Sequence, residues 1–252
     1  YSESEPMITE TQQSVFADTG HVTCAPFFDT RQIDLLCDVC DQWTESFIAD
    51  LNDEKRAWYC EGLGKGETRI RKLDNPVYHK EEFCALAKDR KLVASVEALI
   101  GPGVSVAFSQ VFFKPAYGGG PKPAHQDNYY FGCNDRDGMV TAWVALDDAT
   151  VENGCMYFGD GSNKGPLIDH FAPEDEPFNL QISQSKMQTM KMTPAPVPKG
   201  GLSFHHGHTV HQSSDNNSAF ARRAVALHYV NRSTTFEKPA LTFDPSVVVN
   251  IS

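Results

Sequence analysis

The residues with the most chemical content are His125-Gln126-Asp127. On an extended strand the side chains at i and i+2 share one face. The imidazole of His125 and the carboxylate of Asp127 are then able to point at one metal, while Gln126 points aside. Neutral and anionic N/O ligands of this kind suit a borderline divalent metal. One more histidine, from another strand, completes a facial triad of two histidines and a carboxylate. That triad leaves coordination positions open and is the pattern of non-haem iron(II) oxygenases. A His-x-Asp triplet alone is weak, because most such triplets are surface or hydrogen-bonded pairs; the third ligand gives it weight.

Four histidines compete for the third place: His205, His206, His208 and His211. His211 is preferred. It heads the run His211-Gln212-Ser213-Ser214-Asp215-Asn216-Asn217-Ser218, and Arg222 and Arg223 follow eleven and twelve residues on. A guanidinium at that place has a physical use. 2-Oxoglutarate carries a distal carboxylate that must be anchored in a partly dry pocket, and arginine does this through a bidentate, charge-assisted pair. The hydroxyl of Ser213 is able to add a hydrogen bond to the same carboxylate. By strand alternation His208 faces away from His211, which favours a core or surface role for it; His206 and His208 stay open as groups behind the ligands.

The elements that must position these residues divide the chain in two. Asp29 and Gln32 have capping-box spacing, and Ile33, Leu36, Cys37, Cys40, Trp43, Phe47 and Ile48 recur at helical intervals, predicting a helix over 29–50. Residues 52–80 read as loop with short elements. Leu92, Val93, Val96, Leu99 and Ile100 predict a second amphipathic helix, stopped by Gly101-Pro102-Gly103. Beyond residue 103 come short β-prone runs bounded by Gly, Pro, Asn and Asp: Val104–Lys114, Val140–Leu146, Cys155–Phe158, Gly201–Phe204 and Ala224–Val230. Helices first and strands after them predict an all-β core with flanking helices, a double-stranded β-helix of the jelly-roll or cupin-like kind. The expected organisation is one domain over 1–252. Residues 1–18 form a loose arm, 19–103 a mainly helical part, 104–232 the jelly-roll core and 233–252 a tail. Residues 162–198, rich in proline and with an acidic cluster at Glu174–Glu176, are a lid or a plain surface excursion.

Composition narrows the partners. The net charge is −11, from 33 acidic and 22 basic residues, which argues against nucleic acid because phosphate binding needs a basic surface. No run of 18 apolar residues is present, so no membrane span is expected. The acidic N-terminus lacks the basic start and apolar stretch of a signal peptide, and Met7 is a candidate natural start. The seven cysteines are odd in number and irregular in spacing, against a disulfide framework. Cys37 and Cys40 form a C-x-x-C but fall on the apolar stripe of the first helix. They are read as reduced core thiols of a cytoplasmic protein.

Most of the chain resembles the phytanoyl-CoA dioxygenase family of iron(II)/2-oxoglutarate oxygenases. The matching stretches are Phe112-Phe113-Lys114-Pro115, His125-Gln126-Asp127-Asn128, Thr141 to Asp148, Glu152-Asn153-Gly154-Cys155 with Gly161-Ser162, His211 to Ser218, and Arg222. Phe16 to Val22 and the helix over 29–50 have the family's look as well. The family's usual P-G-S-H turn reads Asp160-Gly161-Ser162-Asn163 here, but neither altered residue is a ligand. The resemblance implies Fe(2+) held by His125, Asp127 and His211, with 2-oxoglutarate as co-substrate and O₂ as oxidant. It implies Arg222 as the partner of the distal carboxylate, with Arg223 as the fallback, and Lys114, Trp143 and Ser213 as the lining of the co-substrate pocket. Core packing is an almost equal reading for Trp143. Halogenating relatives replace the metal carboxylate with a small residue; Asp127 is present, so the resemblance implies hydroxylation or a related oxidation, with release of succinate and CO₂.

The substrate is expected to be a small-molecule metabolite. Asn128 and Tyr129 follow the His-x-Asp triplet, and on a continuing strand Tyr129 shares the face of His125 and Asp127, making it the better substrate contact. Arg69, Arg71 and Lys72 form a basic cluster that either receives an anion or is a solvated face. Two other classes stand beside the oxygenase: a non-catalytic jelly-roll binding protein, and a zinc-type hydrolase or isomerase on the same ligands. The first predicts the loss of a ligand or of Arg222; the second gives no reason for the spacing from His211 to Ser213 and Arg222.

Overall fold

A computed structural model describes residues 8–62, 68–174, 179–240 and 244–252. The expected acidic cluster beyond Glu174 and the first seven residues of the expected arm lie outside the described residues. The chain opens with helix α1 (Glu10–Thr19), strand β1 (His21–Cys24) and the long helix α2 (Thr30–Ala49). Helix α3 (Asp53–Tyr59), the paired strands β2 (Cys60–Gly62) and β3 (Thr68–Ile70), and β4 (Lys72–Asp74) follow. Helices α4 (Pro76–His79), α5 (Glu81–Ala87) and α6 (Arg90–Ile100) complete the first part. Strands β5 (Val104–Lys114) and β6 (Lys122–His125) lead into the short helix α7 (Asp127–Phe131). Then come β7 (Met139–Ala145), β8 (Met156–Gly159), β9 (His170–Phe171), β10 (Gln181–Ile182), helix α8 (Gln184–Met187) and β11 (Met192–Ala195). Strands β12 (Leu202–His206), β13 (His211–Ser213), β14 (Arg222–Asn231) and β15 (Val249–Asn250) close the chain.

Two antiparallel sheets form a jelly roll. The major sheet runs β1-β12-β7-β14-β5-β15, with β4 also on β5; the minor sheet runs β11-β8-β13-β6. Side chains alternate between the two faces of the major sheet. Val140, Ala142, Val144, Leu202, Phe204, Val225, Leu227 and Tyr229 face outward and join one core with Ile33, Leu36 and Cys40 of α2, Phe83 and Leu86 of α5, and Leu92 and Val96 of α6. Trp143, Ala145, Ala224 and Ala226 face inward and pack with Met156 and Phe158 of β8. With helices on one face and a sheet on the other, β7 is buried at every position. Its sequence is therefore an apolar run interrupted only by Thr141, rather than an alternating one.

The helices expected over 29–50 and 92–100 form as α2 and α6. Asp29 caps α2 by accepting from the backbone N–H of Arg31 (2.8 Å). A reciprocal capping box stands one helix earlier, where Thr9 and Gln12 satisfy each other's backbone donors. That box, with Phe16 buried, makes 10–19 a docked helix instead of a loose arm. Other boundaries differ because pairing partners lie far away in sequence. Residues 19–103 contribute β1 and β4 to the major sheet, Met192–Ala195 pair with β8 rather than belonging to an excursion, and Val249–Asn250 add an edge strand beside β5. Among the described residues no helix is long and apolar enough to cross a membrane.

Candidate metal centre

β6 and β13 are neighbours in the minor sheet, and His125 and His211 are directly opposite each other across them. Their ring centroids are 4.1 Å apart. Each imidazole is oriented by its own local chain: the Nδ1–H of His125 donates to the carbonyl of Pro123 (2.7 Å), and that of His211 to the carbonyl of Thr209 (2.9 Å). Both Nε2 lone pairs are thereby left free, which is how ligand histidines are prepared for a metal. The third group arrives differently from the sequence expectation. β6 ends at His125; Gln126 is extended and Asp127 is the first residue of α7. One extended residue still separates the two, so His125 and Asp127 face the same point.

The Asp127 carboxylate meets both imidazoles through Oδ1, at 3.4 Å from His211 Nε2 and 3.7 Å from His125 Nε2. Among the described residues these three form the one group with metal-ligand geometry, their ligand atoms all lying within 4.8 Å of one another. Metal bonds of about 2.1 Å at right angles place ligand atoms about 3 Å apart, so a small divalent ion fits with a slight contraction. All three residues are buried. Burial, and then the neighbouring His211 and Lys122, push the His125 imidazole well below its usual range, leaving it neutral and able to coordinate. Burial alone would raise Asp127; the imidazoles of His211 and His228 and the hydrogen bond from His205 outweigh it and hold the carboxyl well below the usual carboxylate range.

Arg222 and Lys114 are opposite each other across β14 and β5, so both side chains rise from the inner face. Arg222 is buried and, among the described residues, has no acidic partner in hydrogen-bonding reach: one Nη2–H donates to the carbonyl of Gly154 (2.8 Å), the guanidinium lies 5.3 Å from the Trp143 ring, and Nε has no partner. Desolvation brings the guanidinium down to about 10. The ammonium of Lys114 donates to the carbonyls of Gly120 and Ser214. Burial and then Arg222 lower it to about 7, against the pull of Glu61 and Asp215. Gly154, at φ +92°, permits this crowding; a Cβ there would sit 2.8 Å from Lys114 Cδ. Ser213 is buried on β13, two residues from His211. Arg223 points to the other face. It forms a bidentate pair with Asp147 (2.9 and 3.0 Å) and reaches Asp41 of α2 (2.8 Å), which commits it to the fold.

Three histidines of the four-way choice are spent elsewhere. His206 reaches Asp137 (3.0 Å) and its Nδ1 accepts from the backbone of His208. His208 contacts the amide of Asn128 (3.1 Å). His205 approaches the other oxygen of Asp127, Oδ2, at 3.0 Å. Thr141 donates to the same Oδ2 at 2.6 Å, and His228 contacts the Thr141 hydroxyl at 2.8 Å. Sequence reasoning missed Thr141, His205 and His228 around the carboxylate. Parity with Arg222 along β14 and with Trp143 along β7 was the signal that placed His228 and Thr141 on the inner face.

Asn128 and Tyr129 do not share a strand with His125, because 127–131 is helical and closed by Gly132 in the left-handed region. The Asn128 side chain is buried, accepting from the backbone of Cys133 (2.7 Å). Tyr129 stacks on His170 at 4.0 Å. Both border a surface cleft of about 520 Å³ shared with Leu167, Cys133 and Lys238, and none of the three ligands lines it. The expected basic cluster is also divided: Arg71 holds the carbonyl of Trp58 (2.8 Å), and Lys72 is buried over the Trp58 ring and paired with Asp74 (3.2 Å). Cys37 and Cys40 are buried free thiols, and burial pushes Cys40 up to about 12, as suits an unreactive core residue.

Comparison with known proteins gives a family and several neighbours of the same fold. The family described as phytanoyl-CoA dioxygenase (PhyH) matches residues 22–224. A probable alpha-ketoglutarate-dependent hypophosphite dioxygenase of Stutzerimonas stutzeri is 26% identical over 222 residues, 86% of this chain and 77% of that protein. The phytanoyl-CoA dioxygenase domain-containing protein 1 of Mus musculus is 28% identical over 186 residues, 71% of this chain and 64% of its own length. Among solved structures, the non-heme alpha ketoglutarate dependent carbocyclase SnoK from nogalamycin biosynthesis superposes with a TM-score of 0.77 at 20% identity, covering 99% of this chain and 100% of that one. EctD from S. alaskensis, in its apoform, gives 0.77 at 18% identity, over 98% of this chain and 86% of that one. At such identities the two structures speak for the fold.

Proposed function

The chain belongs to the phytanoyl-CoA dioxygenase family of iron- and 2-oxoglutarate-dependent oxidoreductases, and we propose that it hydroxylates an unactivated C–H bond of a small-molecule metabolite. The observation that carries this reading is the conjunction of two prepared sites, one on the minor sheet and one on the inner face of the major sheet. One is the His125, Asp127 and His211 triad with both Nε2 lone pairs free. The other is the buried Arg222 guanidinium without an acidic partner in reach and with an orphaned Nε. Bound there, iron(II) and 2-oxoglutarate together supply an oxidant made from O₂ that is strong enough to attack a C–H bond, with succinate and CO₂ as co-products.

The chain's own residues prepare this chemistry. His125, Asp127 and His211 hold the metal and leave the rest of its coordination sphere to the reactants. Arg222 presents its fork to the distal carboxylate, and that pairing relieves the cost of a buried, unpaired cation. Lys114 adds positive charge beside it, Trp143 gives the guanidinium a flat wall, and Ser213 stands at the same end of the minor sheet as His211. Ala145, Ala224 and Ala226 lie on the same inner face, buried in an apolar cluster with Trp143, which keeps water away from this side of Arg222. A hydrolytic zinc centre on the same triad would leave Arg222 and Lys114 without a purpose.

For the substrate, support comes from relatives whose names specify small molecules. One relative is named for hypophosphite, and solved structures of the same fold are named for nogalamycin and 5-hydroxyectoine. Tyr129, stacked on His170, and Asn128 are the candidates for its border, through the cleft they line. The seven free thiols support a reducing, cytoplasmic setting. The test is anaerobic addition of iron(II) and 2-oxoglutarate, which should give the weak visible absorption of the iron–2-oxoglutarate chelate, followed by succinate release on admitting O₂. Folded protein that gives neither signal refutes the proposal. A substrate screen read out by succinate release then identifies the oxidised molecule.

A further inference from the structure

Three polar residues stand side by side on the inner face of the major sheet. His205 of β12 is directly opposite Thr141 of β7, and Thr141 is directly opposite His228 of β14. Beyond this row lie His21 on one side and Phe108 on the other. All three residues are buried. On the same inner face the neighbouring positions of β7 and β14 are apolar, at Trp143, Ala145, Ala224 and Ala226. Burying two imidazoles and a hydroxyl costs stability unless each is hydrogen-bonded, and here one cost is left standing: His205 Nδ1 has no partner. A row chosen for packing alone would be apolar.

The hydrogen bonds have only one consistent direction. An ionised carboxylate only accepts, so the Thr141 hydroxyl donates to Asp127 Oδ2 at 2.6 Å. Its single proton is then used, and at its contact with His228 Nδ1 (2.8 Å) the hydroxyl oxygen must accept. That makes His228 the Nδ1–H tautomer at this contact. His205 must present Nε2–H to the same Oδ2, at 3.0 Å. Oδ2 therefore receives two donors from the sheet, while Oδ1 faces His125 and His211.

We propose that Thr141, His205 and His228 are positioning residues that occupy Oδ2 of Asp127 and so restrict the carboxylate to one-oxygen coordination through Oδ1. His228 acts chiefly by orienting the Thr141 hydroxyl, its own Nδ1 standing farther from Oδ2, at 3.5 Å. A metal held there would keep one more position for reactants than a two-oxygen carboxylate would allow. His205, although its ring centroid is only 4.4 Å from that of His211, serves the carboxylate and not the metal. This inference rests on the metal reading of the triad, and the experiment separates the two.

The probe is cobalt(II), titrated anaerobically into the wild type and into Thr141→Val, Thr141→Ser, His228→Phe and the Thr141→Val/His228→Phe double variant. Affinity and the visible cobalt spectrum are read together, with circular dichroism of the metal-free proteins as the folding check. Partners behind metal ligands are worth about 10- to 100-fold in affinity. Thr141→Val should therefore weaken cobalt binding by about 10-fold or more and change the spectrum, whereas Thr141→Ser, which keeps the hydroxyl, should restore both to within about threefold. His228→Phe should weaken binding on its own and add nothing in the Thr141→Val background, the signature of action through a shared partner. Wild-type affinity and spectrum in Thr141→Val, or additive effects of the two substitutions, overturn the inference. Should Thr141→Val not fold, His228→Phe alone decides: weakened binding supports the row and unchanged binding refutes it. A wild type that binds no cobalt overturns the metal reading itself.

Discussion

Replacing Arg222 with methionine should move stability and co-substrate binding in opposite directions. The guanidinium is almost wholly buried, with one hydrogen bond to Gly154 and no acidic partner in reach. Desolvation lowers it from an ordinary 12.5 to about 10. Because the folded value lies below the unfolded one, the fold disfavours the charged form. The penalty is present in full at every pH below about 10 and fades only as pH rises towards the unfolded value. At about 1.4 kcal/mol per unit this is on the order of 3 kcal/mol at neutral pH. Losing the bond to Gly154 returns about 1 kcal/mol of that. Metal-free Arg222→Met should therefore be as stable as the wild type or up to ~2 kcal/mol more stable, a melting temperature higher by up to ~4–8 °C. Binding goes the other way. Truncating one side of a buried charge pair costs about 2–5 kcal/mol, so affinity for 2-oxoglutarate should fall by about 30- to 4,000-fold. The assay is thermal denaturation of the nickel-loaded protein with and without 2-oxoglutarate, supported by calorimetry. Wild type at a hundredfold excess over its dissociation constant should gain about 2.7 kcal/mol, and the variant less than about 1 kcal/mol. A variant that keeps the 2-oxoglutarate shift, or a metal-free variant that loses more than about 2 kcal/mol, refutes the assignment; the latter result would make Arg222 a structural residue.

Arg223→Ala should instead lower the unfolding free energy by about 1–2 kcal/mol through loss of the Asp147 and Asp41 pairs while 2-oxoglutarate affinity stays unchanged; a lost co-substrate response would make it the anchor. His211→Ala should abolish stoichiometric divalent-metal binding, whereas His208→Ala, which removes a contact to Asn128, should retain it, as equilibrium dialysis will show. Lys114, with its ammonium lowered to about 7, is a cation below that pH and neutral above it. Affinity for the 2-oxoglutarate dianion should thus fall about 10-fold between pH 6.5 and 8.5, and a Lys114→Met variant should show weak binding without that slope.

The jelly roll was legible from Val104 onwards because its strands are bounded by turn residues and its helices come first. The contributions from either end of the chain were not, and the reason is physical. β1, β4 and β15 are two to four residues long and gain their stability only from partners far along the chain, His21 on His205 and Val249 on Val106. Periodicity carries no signal for a strand of that length. Helix α1 escaped for a different reason. Phe16 is its one buried side chain, so no apolar stripe marks it, and the Thr9–Gln12 capping box is the local signature that does.

At the site, the i,i+2 rule reached Asp127 for a reason narrower than the one given for it. Only Gln126 needs to be extended for His125 and Asp127 to converge, and it is. The same rule fails two residues later at Tyr129, because α7 has begun and each residue then turns by a helical step. The choice of His211 over its three rivals rested on spacing to Ser213 and Arg222. The structure adds an argument that spacing lacks: His211 is opposite His125, while His205 is opposite Thr141. Two histidines six residues apart, on β12 and β13, thus reach the same carboxylate from different sheets, one at each oxygen. Register decides which of them is a ligand, and register is a property of strand pairs that no single strand's sequence contains. Alternation along β7 and β14 does place Thr141 and His228 on the face of Trp143 and Arg222. What hid them is that both faces of these strands are buried, so that a polar inner residue reads as an interruption in an apolar run rather than as part of a row.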